Sequence, residues 1–221
     1  MSKILVISGH PNLPDSTANK TVLDAVKNHF GDAINMRELD KLYVNGKFDV
    51  PAEQKALAEA DIVVLQFPVY WYSMPGLLKQ WIDDVFEYGF AYGSQGTALR
   101  GKKLLISATA GAPENMYRDA LPYELTTTYA DFGNTAAFTG MELEEPIFSY
   151  GTSSDPGNAA AVRAIGENHG TKLIARLESL RAYLCLTDGE FGDFFAEVHV
   201  LVQPQFQRVA RYGGDEFQRV A

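Results

Sequence analysis

The sequence predicts an α/β protein in which a parallel sheet is covered by helices on both faces. Two observations carry that expectation. Short apolar runs bounded by turn residues alternate with segments whose apolar residues repeat at helical spacing. One run, Ile62 to Phe67, is apolar almost without interruption, as a strand covered on both sides must be. The size is sufficient as well: 221 residues, 46% hydrophobic and 21% charged, bury a full core without disulfides or metals.

Each element follows in order. Lys3 to Ser8 is a buried strand ending at Gly9-His10-Pro11. After a loop rich in Pro, Asn and Asp, Ser16 stands where a helix N-cap belongs, and Val22, Leu23, Val26 and Phe30 recur at helical spacing until Gly31. Ile34 to Leu39 is a weaker second strand, and Pro51 opens a short helix through Ala56, Leu57 and Ala60. The run from Ile62 is the third strand. After Pro75, the residues Leu77, Leu78, Trp81, Ile82, Val85 and Phe86 form a broad apolar helical face. Leu104 to Ala108 is the fourth strand and Ile147 to Ser149 the fifth. A last helix runs from about Asn158 to Leu184, with Val162, Ile165, Leu173, Ile174, Leu177 and Leu180 on its apolar side.

Charge narrows the function classes. Nineteen basic against twenty-eight acidic residues give a net charge of −9, which disfavours nucleic acid and anionic lipid as partners. An anionic cofactor stays open, because backbone amides at a helix N-terminus hold phosphate without bulk positive charge. The lone cysteine, Cys185, suits a reducing compartment, and no apolar run is long enough for a signal peptide or a membrane span. The expectation is a cytoplasmic protein, not membrane-integral.

In a doubly wound sheet, ligands bind beyond the carboxyl ends of the strands, at the topological switch point. Three loops lie there. In the first, Ser16, Thr17 and Asn19 place hydroxyl and amide donors beside free helix amides, with His10 nearby; an ordinary N-cap explains the same residues. The second, Pro68-Val69-Tyr70-Trp71-Tyr72-Ser73-Met74-Pro75, holds three consecutive aromatics. A turn cannot aim all three into one core, so a wall for a flat heteroaromatic ligand competes with simple packing. In the third, Thr109 to Tyr117, Gly111 and Ala112 are small enough for close main-chain approach, and Tyr117 adds a hydroxyl that bonds a developing anion.

These residues resemble a known family. Ile4 to Pro11, Ser16 to Asn19, Phe67 to Pro75 continuing through Leu77 to Phe86, Gly89 to Gly93, and Gly101 to Leu105 leading into Thr109 to Ala112 are similar to the flavodoxin-like NAD(P)H:quinone oxidoreductases. That group includes mammalian quinone reductase and the ancillary subunit of bacterial glutathione-gated potassium efflux. The likeness covers roughly residues 1 to 185. It implies a five-stranded sheet in the order 2-1-3-4-5 and a flavin, FMN or alternatively FAD; the compact body, with no extra segment for adenine, favours FMN. His10, Ser16, Thr17, Ala18 and Asn19 would surround its phosphate. Pro68, Val69, Tyr70, Trp71 and Tyr72 would line one side of its ring system, and Thr109, Ala110, Gly111 and Ala112 would reach its pyrimidine end. Tyr117, with Gly111, matches the catalytic positions near the flavin O2. Tyr92 matches the rim of the substrate pocket, often supplied by the partner of a homodimer. Where mammalian quinone reductase has a histidine six residues beyond the tyrosine, this chain has Tyr123, assigned to the substrate side. NAD(P)H as co-substrate, a quinone-like acceptor and ping-pong kinetics follow; the alternative is a redox-regulatory subunit docked on a membrane transporter, with the Leu77 to Phe86 helix as a candidate surface.

Other signals carry no function. Gly96 to Lys102 matches most of a phosphate-binding loop, but Lys103 replaces the hydroxyl residue and the segment precedes a strand. His10, His29, His169 and His199 share no metal-ligand spacing with Cys185, so no metal is expected. Residues 1 to 186 are read as the flavin-binding body and 187 to 221 as an extension of unknown role. That extension carries a net charge of −3 and repeats Phe206-Gln-Arg-Val-Ala210 as Phe217-Gln-Arg-Val-Ala221.

Overall fold

The computed structural model describes residues 3 to 153 and 155 to 187. Its sheet is built around β1 (Ile4–Ser8), which pairs in parallel with β2 (Ile34–Glu38) on one side and β3 (Ile62–Pro68) on the other. β4 (Lys103–Thr109) pairs in parallel with β3. The fifth position is shared by β5 (Glu142–Leu143) and β6 (Ile147–Ser149), both parallel to β4, so the order is 2-1-3-4-5 as expected. The division has a local cause. Pro146 has no N–H for a ladder, and Glu144 turns its carboxylate to Lys103 and Arg176.

The helices are α1 (Thr17–Phe30), the short α2 (Leu39–Leu42), α3 (Val50–Glu59), α4 (Gly76–Val85), α5 (Ala130–Thr139) and α6 (Ala159–Thr187). Predicted helices and strands recur within a few residues of their expected ends. α2, α5 and β5 were not foreseen: two are four residues or fewer, and α5 buries only Phe132, Ala136 and Thr139 and carries Gly133 inside its first turns. One compact unit spans residues 2 to 178. The second begins at Ser179, and its described residues, 179 to 187, are helical. The expected boundary at 186 and the repeat beyond it lie at or outside the end of the described residues.

Alternation along the strands gives the sheet two different faces. Leu5, Ile7, Val63, Leu65, Phe67, Leu104, Ile106 and Ala108 share one core with Leu57 of α3, Leu78 and Trp81 of α4 and Phe132 of α5. Beneath that core Glu53, buried, holds the Arg37 guanidinium and accepts from Trp81 Nε1 at 3.1 Å. The opposite face packs on α1 and on α6 up to Glu178. It begins apolar, with Ile4, Val6, Ile62, Val64 and Leu105, and ends polar, with Ser8, Gln66, Ser107 and Thr109, all buried. At its amino edge stands Lys103. Burial pulls its pKa down, but Glu142 and Glu144 outweigh that and hold it above the usual lysine value.

α1 and α6 approach closely because α6 presents glycines. A Cβ on Gly166 would lie 2.9 Å from Thr21 Cβ and 3.0 Å from the Ala18 carbonyl, and one on Gly170 would lie 2.9 Å from Ala25 Cβ. That approach brings His169, between the two glycines, down onto the polar end of the sheet.

Candidate functional site

At the carboxyl edge the loops after β1, β3 and β4 meet in one cleft of about 240 Å3. His10 and Ser16 to Asn19 line it from the first loop, Pro68, Val69 and Tyr70 from the second, and Thr109 and Gly111 from the third. A fourth loop, not singled out from sequence, adds Thr152, Ser153 and Asp155, with Ala159 and Val162 at the start of α6. Its signal was present. The Gly, Ser, Asp, Pro cluster between the fifth strand and the last helix is the same loop chemistry at the same edge.

The first loop gathers donors at a helix N-terminus, with the Asp15 carboxylate also in the lining. Ser16 caps α1, its Oγ accepting from the Asn19 amide at 3.2 Å. The amides of Thr17 and Ala18, first in the helix, have no acceptor in the preceding turn, and the dipole of a 14-residue helix adds to them. Among the described residues the cleft lining carries no lysine or arginine. His10 is neutral in effect. Burial lowers its pKa against the opposing pull of Asp40 and Asp15, and Nδ1 accepts from the Asn12 amide at 3.0 Å, which leaves its proton on Nε2. Asn19 lines the cleft as expected; its side chain is buried and hydrogen-bonded to Ser16, Thr109 and Gln66, so it also supports the loop.

The second loop reverses at Tyr70–Ser73, whose amides and carbonyls exchange two hydrogen bonds at 2.9 and 3.0 Å. Its central residues, Trp71 and Tyr72, have φ of 48° and 63°, a left-handed pair that normally calls for Asn or Gly. Two large aromatics held this way store about 1–3 kcal/mol each. Trp71 is 92% exposed and Tyr72 44%, so neither is packed as core.

The third loop is clamped on both sides. Val69 N–H donates to the Thr109 carbonyl at 2.7 Å, Ala110 N–H to the Ser149 carbonyl at 2.7 Å, and Gly151 N–H to the Ala112 carbonyl at 2.9 Å. Gly111 sits between these anchors. A Cβ built on it meets no described neighbour closer than Ser153 Cα at 3.9 Å, so the missing side chain keeps space in the cleft and does not relieve a clash. Ala110 is fully buried. Tyr117, in a five-residue π-helical turn (Met116–Ala120), packs edge-on to Tyr72 at 6.4 Å and beside Tyr150 at 5.6 Å. Trp71, Tyr72, Ala112 and Tyr117 are not among the residues that line the cleft, and Tyr117 is buried. Tyr92 lies further along, against Tyr88 and Phe138. Tyr123 is 71% exposed and is not brought to the cleft.

Comparison with known proteins agrees with this architecture. The family model described as a flavodoxin-like fold matches residues 2–172. The NAD(P)H oxidoreductase YrkL of Bacillus subtilis is 42% identical over 152 residues, 68% of this chain and 86% of that protein. General stress protein 14 of Treponema denticola, solved in complex with FMN, superposes with a TM-score of 0.70 at 37% identity, over 78% of this chain and 98% of that one. An NADPH-quinone reductase from P. pentosaceus superposes with a TM-score of 0.61 at 27% identity, over 77% and 98% of the two chains. The chain belongs to the flavodoxin-like fold family, and within it to the NAD(P)H:quinone oxidoreductase type.

Proposed function

We propose that the chain is an FMN-dependent NAD(P)H:quinone oxidoreductase whose flavin occupies the cleft. The observation that carries this is the convergence of the strand-end loops on one cleft. It has open helix amides and hydroxyls at one end and an aromatic, strained turn at its mouth. The residues suit the group: a phosphate needs donors, and Thr17 and Ala18 amides with the Ser16 and Thr17 hydroxyls supply them without a cation. Thr109, which the family resemblance assigns to the pyrimidine end, is reassigned to the phosphate side, because Asn19 Nδ2 joins its Oγ1 to Ser16 Oγ. Pro68, Val69 and Tyr70 form the flat side. When bound, a flavin supplies two-electron hydride chemistry.

This chain's own residues place and polarise. The Gly111 amide, held between clamped neighbours, and the Tyr117 hydroxyl are the donors offered to negative charge at the ring's pyrimidine end. Trp71 and Tyr72 present stacking surface at the mouth, with Tyr92 further along on the substrate side. One mouth serves nicotinamide and quinone in turn, hence ping-pong kinetics. Homodimerisation through the exposed aromatics around Tyr88 and Phe138 belongs to the same proposal. For the docking alternative, Leu78, Trp81 and Val85 of α4 are fully buried within the fold, and only Leu77, Ile82 and Phe86 of that face are partly exposed to a partner.

The test is an absorption spectrum of the purified chain with mass analysis of the released cofactor, followed by addition of NADH or NADPH. FMN with bleaching on reduction is expected. A chain reconstituted with FMN or FAD that shows no bleaching sinks the reading.

A further inference from the structure

The polar end of the α1/α6 face is one connected hydrogen-bond network with a direction. Ser107 Oγ donates to Gln66 Oε1 at 2.6 Å, and Gln66 Nε2 donates to Asn19 Oδ1 at 2.9 Å. Asn19 Nδ2 donates to Thr109 Oγ1 at 3.0 Å and to Ser16 Oγ at 3.2 Å. At the far end the His169 ring, fully buried, spans two serines: Nε2 lies 2.7 Å from Ser107 Oγ and Nδ1 2.8 Å from Ser149 Oγ.

Counting protons orients the ring. A hydroxyl has one hydrogen. Ser107 spends its hydrogen on Gln66, so its contact with Nε2 requires the ring to donate. Nδ1 is then bare and accepts from Ser149. At the cleft end, Ser16 Oγ already accepts from both the amide and the side chain of Asn19, and Thr109 Oγ1 accepts from Asn19. The hydrogens of both hydroxyls are left for a partner in the cleft, which both residues line. With the proton on Nδ1 and both amides turned, every bond could be made in the opposite sense. Ser16 and Thr109 would then give their hydrogens to Asn19 and show the cleft lone pairs, which repel an anion.

We propose that His169, as its Nε2–H tautomer, is a positioning residue that sets the direction of this network and so turns the Ser16 and Thr109 hydroxyl hydrogens toward the phosphate of FMN. The proposal rests on the flavin reading above. The ring is suited to the role because it is neutral: burial, with Lys172 on its own helix, holds its pKa at about 4, and the groups facing it from the sheet, Ser107 and Ser149, do not titrate. A charged ring would donate from both nitrogens and force Ser149 to reverse.

Two measurements on the full chain decide it. Nitrogen NMR of the flavin-free protein labelled at histidine should show His169 protonated at Nε2 and bare at Nδ1. Fluorescence titrations with FMN and with riboflavin, which lacks the phosphate, should show His169→Leu losing about tenfold or more in FMN affinity with riboflavin unchanged. His169→Gln, which keeps one N–H donor, should restore most of the loss. An Nδ1–H or charged ring overturns the proposal, as does an equal loss for both ligands. If His169→Leu does not fold, the tautomer in the wild type and the ligand preference of His169→Gln decide. A wild type that binds neither FMN nor riboflavin overturns the flavin reading itself, a result separate from the tautomer.

Discussion

The two faces of the sheet use alternate residues of the same strands, yet they are built on different principles. Toward α3, α4 and α5 every inward residue of β1, β3 and β4 is apolar, and stability there comes from area and close packing. Toward α1 and α6 the same strands start apolar and finish in Ser8, Gln66, Ser107 and Thr109, where each polar group must find a partner or cost about 1–3 kcal/mol. The first face depends chiefly on filling its volume closely, with the buried Glu53, Arg37 and Trp81 contacts beneath it. The second depends on pairing donors with acceptors: Gln66, Ser107 and Thr109 are joined in one network, while the buried Ser8 hydroxyl has no partner among the described residues, and this face is the one that opens into the cleft. A core built by hydrogen bonds is therefore placed where it can pass order to a ligand.

The largest expected effect tests the apolar face. Trp81→Ala should destabilise by about 3–5 kcal/mol in denaturant unfolding, while the surviving fold keeps its preference for FMN over riboflavin. A lost preference would mean the faces are not independent. Acid tests the other face. His169 sits at about 4 against an ordinary 6.5, so the unfolded chain binds the extra proton between those values. Its contribution is intact above about pH 6.5 and declines as pH falls toward 4, by roughly 3 kcal/mol in all. Unfolding at pH 7, 5.5 and 4 should show a shallower decline for His169→Gln; parallel curves would contradict the assignment.

Smaller effects sharpen the boundary between packing and site. Gly111→Ala puts a methyl into the cleft, no closer than 3.9 Å to any described neighbour, so flavin affinity should fall about tenfold with thermal stability unchanged. A lowered melting temperature would show a packing role instead. Trp71→Gly relieves one left-handed aromatic and should raise stability by about 1 kcal/mol, with quinone turnover reduced. An unchanged melting temperature would show that the turn stores no strain.

How much was legible follows from range. The Ser16 cap, the α1 stripe Val22, Leu23, Val26 and Phe30, and the strands from Ile4, Ile62 and Leu104 are set by neighbours within a few residues, and they stand where expected. His169 was weighed only as a metal ligand. Its i, i+7 relation to Val162 and its place ahead of Leu173 put a polar residue on the apolar side of the last helix, a signal that a buried partner exists but not which one. Asn19 lines the cleft, as its loop suggested. Only its neighbours Gln66 and Thr109, 47 and 90 residues away, show that its amide is already engaged. The offset of Tyr123 from Tyr117 assigns it to the substrate side; its 71% exposure is a tertiary fact that spacing does not carry.

The sequence by itself determined the alternation of strand and helix, hence the parallel sheet, its carboxyl edge and the loops that gather there, because periodicity and caps are local properties of the chain. Tertiary structure alone decided which side chains of those loops remain free for a ligand. A hydroxyl or amide is available only if no buried partner has claimed it, and the claimants Gln66, Ser107, Ser149 and His169 come from separate strands and the last helix, joined only when the sheet has formed and α6 has closed on α1.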